Sequence, residues 1–192
     1  MFAYLEGEMV YKSPSVINLA VGGIGYEINI TLQTYSKIST LEKCKLFTHL
    51  QIREDAWVLY GFATEEERAT FRLLLNINGV GAATARLILS SLTSAELEHA
   101  VAREDVKTME KIKGIGAKTA QRIILELKGK VLKQTDSATF EFAQHNTTQE
   151  DALIALVNLG IAKAMAENAI KKVKDAASLT IEELIKQALK AL

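Results

Sequence analysis

Gly79-Val80-Gly81-Ala82-Ala83-Thr84-Ala85 recurs as Gly114-Ile115-Gly116-Ala117-Lys118-Thr119-Ala120, offset by 35 residues. Each copy follows a helical segment closing on Ile77-Asn78 or Ile112-Lys113, and each leads into an apolar helix, Leu87-Ile88-Leu89 or Ile123-Ile124-Leu125. The pattern is helix, Gly-apolar-Gly hairpin, helix, written twice. Both glycines of a pair are expected to permit positive φ and to leave no Cβ between the backbone and an approaching phosphate. Val80 and Ile115 would anchor the turns in the core. The first amides of the next helix lack intrahelical acceptors, and with the helix dipole they favour an anion. Hydroxyls (Thr84, Thr119) and cations (Lys118, Arg122) fall in the first turns. The candidate phosphate-binding set is therefore Gly79, Val80, Gly81, Thr84, Gly114, Ile115, Gly116, Lys118, Thr119 and Arg122. One Gly-x-Gly before a helix is a common turn, whereas two copies sharing Ala-x-Thr-Ala are far more specific. Two such cradles can grip a duplex by its backbone without reading bases.

Other anion chemistries fit poorly. Gly116-Ala117-Lys118-Thr119 lacks the Gly next to Lys that a P-loop needs, and position 111 is Lys111. No Gly-x-Gly-x-x-Gly follows a strand, so neither ATP nor NAD is expected in this chain, and no cofactor. His49, His99 and His145 fall in three different segments, and Glu65-Glu66-Glu67 is read as helix capping. No catalytic residue and no metal ligand set is expected. Cys44 is the lone cysteine, which excludes an intrachain disulfide and a zinc cluster.

Lys plus Arg equals Asp plus Glu at 23 each, so net charge says nothing about partners, but its distribution does. Residues 68–132 carry eleven basic and six acidic side chains, against five and six in residues 1–63. A local basic excess around the repeat fits phosphate binding, although a solvated helical face can look the same. The first residues alternate and carry Glu6 and Glu8, unlike a signal peptide. No apolar run approaches the ~20 residues of a membrane span. A cytoplasmic location is expected, which makes the sequons at Asn29 and Asn146 coincidental.

Residues 1–63 read as β, with runs Phe2 to Val10, Val16 to Val21, Tyr26 to Ile30, Leu46 to Ile52 and Val58 to Tyr60. Gly22-Gly23, Gly25 and Arg53-Glu54-Asp55 mark turns. Five short strands at this spacing suggest a small closed or partly open barrel. At Thr64 the period becomes helical, and Thr64 to Glu67 reads as a capping box with Glu67 reaching back to the Thr64 amide. Helices are expected over Glu67 to Ile77, Ala83 to Ser91, Ser94 to Ala102, Val106 to Ile112 and Lys118 to Val131. Residues 133–147 are polar and aperiodic, as in a flexible linker. Three short helices follow, Asp151 to Leu159, Ala162 to Val173, and one capped by Thr180 that runs to Leu192. The expected domains are 1–63, 64–132, the linker 133–147, and 148–192, in the α+β class.

These strings, taken in order, resemble the RuvA family, whose members recognise Holliday junctions in bacterial branch migration. Arg53-Glu54-Asp55-Ala56, Leu59-Tyr60-Gly61-Phe62, Asn78-Gly79-Val80-Gly81 and Gly114-Ile115-Gly116-x-Lys118-Thr119-Ala120-x-Arg122 carry the resemblance across essentially the whole chain. It implies an OB-like barrel, a tandem helix-hairpin-helix domain, and a mobile third domain similar to the ubiquitin-associated three-helix bundle. It implies a homotetramer, or alternatively an octamer, that holds a four-way junction open in recombination, DNA repair and the SOS response. It also implies two partners, the hexameric RuvB ring ATPase, which consumes the ATP, and the RuvC resolvase. An acidic pin of Glu54 and Asp55 at the centre of the tetramer, and a motor-binding surface of Leu156, Leu159, Ile161 and Leu189, come from the resemblance; residues alone would make Glu54-Asp55 a solvated turn and the four apolar residues core. The chain departs from the family pattern at Ala82-Ala83, often Pro-Lys, and at Ala117, often Lys. Two other readings fit the repeat. A helix-hairpin-helix glycosylase or nuclease would need a catalytic Lys or Asp beyond the second hairpin, where only Lys128 and Lys130 are found. A general nucleic-acid tether would bind linear and branched DNA alike.

Overall fold

Alternating apolar residues build the first element pairs. A computed structural model of the chain describes residues 2–136, 148–173, 176 and 179–191. Strands β1 (Tyr4–Lys12), β2 (Val16–Val21), β3 (Ile24–Ile30), β4 (Lys43–Ile52) and β5 (Trp57–Phe62) form a closed barrel in the order β1-β2-β3-β5-β4. All neighbours are antiparallel except β3 and β5, which pair in parallel. Ile17, Leu19, Ile28, Ile30 and Leu46 fill it and are fully buried, the inward half of each strand's two-residue period. The fold is α+β with an OB-like barrel, as expected. Gly22 and Gly23 make the β2–β3 turn, while Gly25 lies inside β3.

One element was not foreseen. Helix α1 (Leu32–Ile38) sits between β3 and β4, capped by Thr31, whose hydroxyl accepts from Thr34 N at 3.0 Å. Helices α2 (Glu65–Leu75), α3 (Ala82–Ser91), α4 (Ser94–Ala102), α5 (Val106–Glu110) and α6 (Ala117–Asp136) follow. Their core centres on Phe71, Leu74, Ile88, Leu97 and Met109, and it takes in Tyr60 and Phe62 from β5. Residues 1–136 thus form one unit in which barrel and helices share packing.

The join is also polar, and it corrects the reading of Glu67. Thr64 caps α2, accepting from Glu67 N at 3.2 Å. The Glu67 carboxylate does not turn back to the Thr64 amide. It is buried and accepts from the hydroxyls of Thr31 and, at 2.8 Å, Thr34; Thr34 Oγ1 in turn accepts from Ala63 N at 2.9 Å. Arg86 of α3 donates to Asn29 Oδ1 at 2.6 Å, and the Leu32 amide donates to Ser90 Oγ at 3.1 Å.

Helix α6 runs to Asp136, past the point where a linker was expected; the rest of the expected linker, with Phe140, Phe142 and His145, lies outside the described residues. In the second unit, α7 (Thr148–Asn158), α8 (Lys163–Lys172) and α9 (Ile181–Lys190) pack around Ala152, Leu156, Ala166, Ala169, Leu184 and Ala188. The small alanines allow close helix approach, and Thr180 forms a capping box with Glu183 at the start of α9.

Candidate nucleic-acid interface

The sequence repeat is a repeat of backbone geometry. Val80 N donates to Ile77 O at 3.0 Å, and Ile115 N to Ile112 O at 3.0 Å. Ala85 N donates to Gly81 O at 2.9 Å, and Ala120 N to Gly116 O at 2.9 Å. Gly79 and Gly114 share the same φ of 86°, a left-handed value that costs other residues roughly 1–2 kcal/mol. Val80 and Ile115 are buried and pin the turns to the core.

The second glycine of each pair does something else. Gly81 has φ −87° and ψ 173°, an extended N-cap conformation open to any residue, and Gly116 is likewise not among the positive-φ glycines. A Cβ at either would meet nothing within 4 Å. What these positions lack is a capping side chain. Elsewhere in residues 2–136 a side chain caps each helix start. Thr31, Thr64, Thr93 and Asp105 accept from the amides of Thr34, Glu67, Glu96 and Thr108 at 3.0, 3.2, 3.2 and 3.1 Å. Helix α3 has no such bond, and Gly116 before α6 has no side chain to supply one. The first amides of α3 and α6 therefore remain without a side-chain cap at exposed turns, the condition under which a helix N-terminus receives an anion.

Around these amides, Gly81, Ala83, Gly116, Ala117 and Lys118 are exposed, and Thr84 and Thr119 are half-buried. The copies differ at Ala82, which is fully buried, and its counterpart Ala117, which faces solvent. Arg122 links them. Its Nη1 donates to Asn78 O at 3.3 Å and lies 3.8 Å from where a Gly79 Cβ would be, so a cation from the second copy rests on the first hairpin.

The turn between β4 and β5 carries the acidic pair. Arg53 N donates to Ala56 O at 2.9 Å, leaving Glu54 and Asp55 exposed at the tip. Directly below, Ile52 and Trp57 face each other across the strands, 63% and 75% exposed. The alternation places the last strand at Val58 to Tyr60, whereas β5 begins at Trp57. The available signal was the phase of Trp57, which continues the inward-facing alternation of Leu59 past the end of the barrel.

In the second unit the four expected partner residues divide. Leu156 is fully buried among α7, α8 and α9, so it is core and cannot present a surface. Ile161 is half-buried against the same core, whereas Leu159 and Leu189 are exposed. A bundle this small must spend its most central leucine on its own interior.

Three further titratable groups have structural partners or burial of their own. His49 meets the Phe71 ring edge-on, and burial, then Arg72 and Arg68, push its pKa below the usual imidazole value. Lys128 pairs with Glu104. Cys44 is buried, which raises its thiol pKa. Among the described residues no cluster of His, Cys, Asp and Glu could hold a metal ion, and no helix is long and apolar enough to cross a membrane.

Comparison with known proteins agrees with this layout. Residues 1–61 match the RuvA N terminal domain family, residues 71–130 the SAM-like helix-hairpin-helix tandem, and residues 147–192 the RuvA C-terminal domain. The chain is 47% identical to the Holliday junction branch migration complex subunit RuvA of Christiangramia forsetii, over 100% of both chains. It is 45% identical to the protein of that name from Cytophaga hutchinsonii, over 99% of both. With that of Chromobacterium violaceum it shares 41%, over 100% of this chain and 98% of the relative.

Proposed function

We propose that this chain, which belongs to the RuvA family, binds four-way DNA junctions and holds them open for branch migration driven by the RuvB ring ATPase. The observation that carries the reading is the pair of matching hairpins, each leading through an exposed glycine into a helix start without a side-chain cap, and joined by Arg122. Phosphates are gripped at Gly79 to Thr84 and Gly114 to Thr119, with Lys118 and Arg122 supplying charge. Backbone amides do not depend on side-chain identity, so binding persists despite Ala83 and Ala117, with a shallower salt dependence than two more lysines would give.

Specificity for the branched form comes from Glu54 and Asp55. The chain acts as a homotetramer, or an octamer of two such rings, with the acidic tips gathered where the arms meet. Carboxylates there repel the phosphates of a continuous duplex, and in a confined site solvent screening is weaker than in open water. The chain is an accessory subunit without catalysis, cofactor or metal of its own; ATP is used by the motor. The barrel (1–63) and the helical domain that α6 extends to Asp136 act together on DNA, and residues 148–192 act as a separate domain after a linker. The last carries six basic and six acidic residues and so gains little from phosphate attraction; its exposed Leu159 and Leu189 meet the ATPase. The RuvC resolvase is a further partner, and the complex works in the cytoplasm.

The test is binding of a four-way junction and a linear duplex of equal length at matched salt, with a native mass measurement of the protein. A clear junction preference by a tetramer is expected. Equal affinity for both DNAs would favour a general tether, and cleavage of either would favour an enzyme.

A further inference from the structure

Trp57 has no role in the phosphate cradles, yet it is the sole tryptophan of the chain and 75% exposed. It stands opposite Ile52, itself 63% exposed, on the face that Leu50 and Leu59 continue into the barrel, so the two make an apolar platform at the barrel's open end, at the base of the Glu54-Asp55 tip. Among the described residues no aromatic ring packs on it and no cation lies over it, whereas Lys45, toward the other end of β4, lies 4.1 Å from the Tyr4 ring centroid. Next to two carboxylates the sugar–phosphate backbone is repelled. An uncharged base is not, and every base offers a π-face on which an indole can stack. Beyond the tip an intact duplex offers no such face, because its bases are stacked on one another; a junction offers them where its arms part.

Resting on the function proposed above, we propose that Trp57, supported by Ile52, stacks on a base or terminal base pair exposed at the crossover. Glu54 and Asp55 then exclude the backbone while Trp57 holds the opened base, so one hairpin both rejects duplex and rewards the branched form. A second copy of the chain is the competing occupant of this apolar pair.

The experiment uses the whole chain and its own fluorophore. Addition of a synthetic four-way junction should quench and shift Trp57 emission, whereas a linear duplex at saturating concentration should leave it close to that of the free protein. Trp57→Ala should weaken junction binding about 5- to 150-fold, as expected for loss of one stacked base, with duplex affinity and salt slope unchanged because no cation is lost. Trp57→Phe should recover most of the loss. A 2-aminopurine at the crossover should report the same contact from the DNA side, and the exposure of Trp57 means that these substitutions leave circular dichroism unaltered. Three outcomes overturn the inference. Selective junction binding with unchanged emission and full affinity in Trp57→Ala would refute it while leaving the function standing. Emission that changes with protein concentration before DNA is added, and no further with junction, would assign the patch to a second copy. Absence of any junction preference in the unaltered chain would remove both readings.

Discussion

Gly81→Asp should make the protein more stable and a poorer DNA binder at once. Gly81 holds φ −87° and ψ 173°, close to the capping residues Thr93 at −69°, 162° and Thr180 at −68°, 158°. Its Cβ would enter open space, so an aspartate there needs no backbone adjustment. Asp105 shows the result in the same chain. Its carboxylate accepts from Thr108 N at 3.1 Å and Thr108 Oγ1 at 2.6 Å, and these bonds hold its pKa below the usual carboxylate value.

Replacing glycine by a good N-cap contributes a few tenths of a kcal/mol, and a negative charge at the helix start adds about as much again, roughly 0.5–1 kcal/mol together. The same carboxylate takes the amide that a phosphate would use. Hydrogen bonds to charged groups contribute about 1.5–3 kcal/mol, so junction affinity should fall roughly 10- to 150-fold before any repulsion is counted. Urea unfolding gives the first quantity, and fluorescence anisotropy with a labelled four-way junction at matched salt gives the second. Gly81→Asn, a neutral cap of similar shape, separates blocking from repulsion and should fall between Gly81→Asp and the unaltered chain. Raised stability with full junction affinity would show that the α3 amides do not hold the phosphate; lowered stability would refute the capping geometry itself.

Lys118→Ala should weaken binding to junction and duplex alike and reduce the slope of log affinity against log salt by about one, read from a salt titration. Glu54→Gln with Asp55→Asn should raise affinity for linear duplex and narrow the junction preference in a competition gel shift, with no change in fold because both side chains are exposed. Deleting residues 148–192 should spare junction binding and abolish stimulation of the RuvB ATPase in a coupled assay. His49 has its folded pKa below its unfolded value of 6.5, so the unfolded chain takes up a proton that the folded chain resists. Stability is therefore full above pH 6.5 and falls as pH drops through it, and His49→Gln should flatten that slope in denaturation midpoints; the depressed carboxylates Glu96, Glu104 and Glu183 act only below their usual 4.5, and Asp105 only below its usual 3.8.

The barrel was legible because its signal is local: a two-residue alternation broken by turn residues at short intervals. The hairpins were legible because the sequence repeats itself. What escaped was set by neighbours distant in sequence or by symmetry of spelling. Thr64 to Glu67 spells a capping box, and only residues 31 and 34, more than 30 positions away, draw the Glu67 carboxylate elsewhere. Gly-x-Gly spells two equal glycines, yet one supplies a left-handed turn and the other an empty cap. Helix α1 hid in Leu32–Ile38, whose Thr, Tyr and Ile residues favour strands, although Leu32, Tyr35 and Ile38 fall at helical spacing. Leu156 and Leu159 sit three residues apart, and nothing in their identity says that the first is interior and the second exposed.

Structure specificity requires that attraction and repulsion be held at fixed separation. A tether with its acids on a mobile loop would swing them aside and accept any duplex. Here the acidic tip grows from β4 and β5, and β5 places Tyr60 and Phe62 in the same core that seats Val80 and Ile115 under the two hairpins. Around that core, Glu67 binds the hydroxyls of α1, Arg86 binds Asn29, and Ser90 accepts from the Leu32 amide. A buried carboxylate is costly unless its oxygens are satisfied, and Glu67 is satisfied only when barrel and helices are seated together. Hinge motion between them would expose the shared core and strand that carboxylate. The span from acidic tip to the two hairpins is therefore set by packed side chains, and DNA bound as proposed would meet it as a fixed gauge.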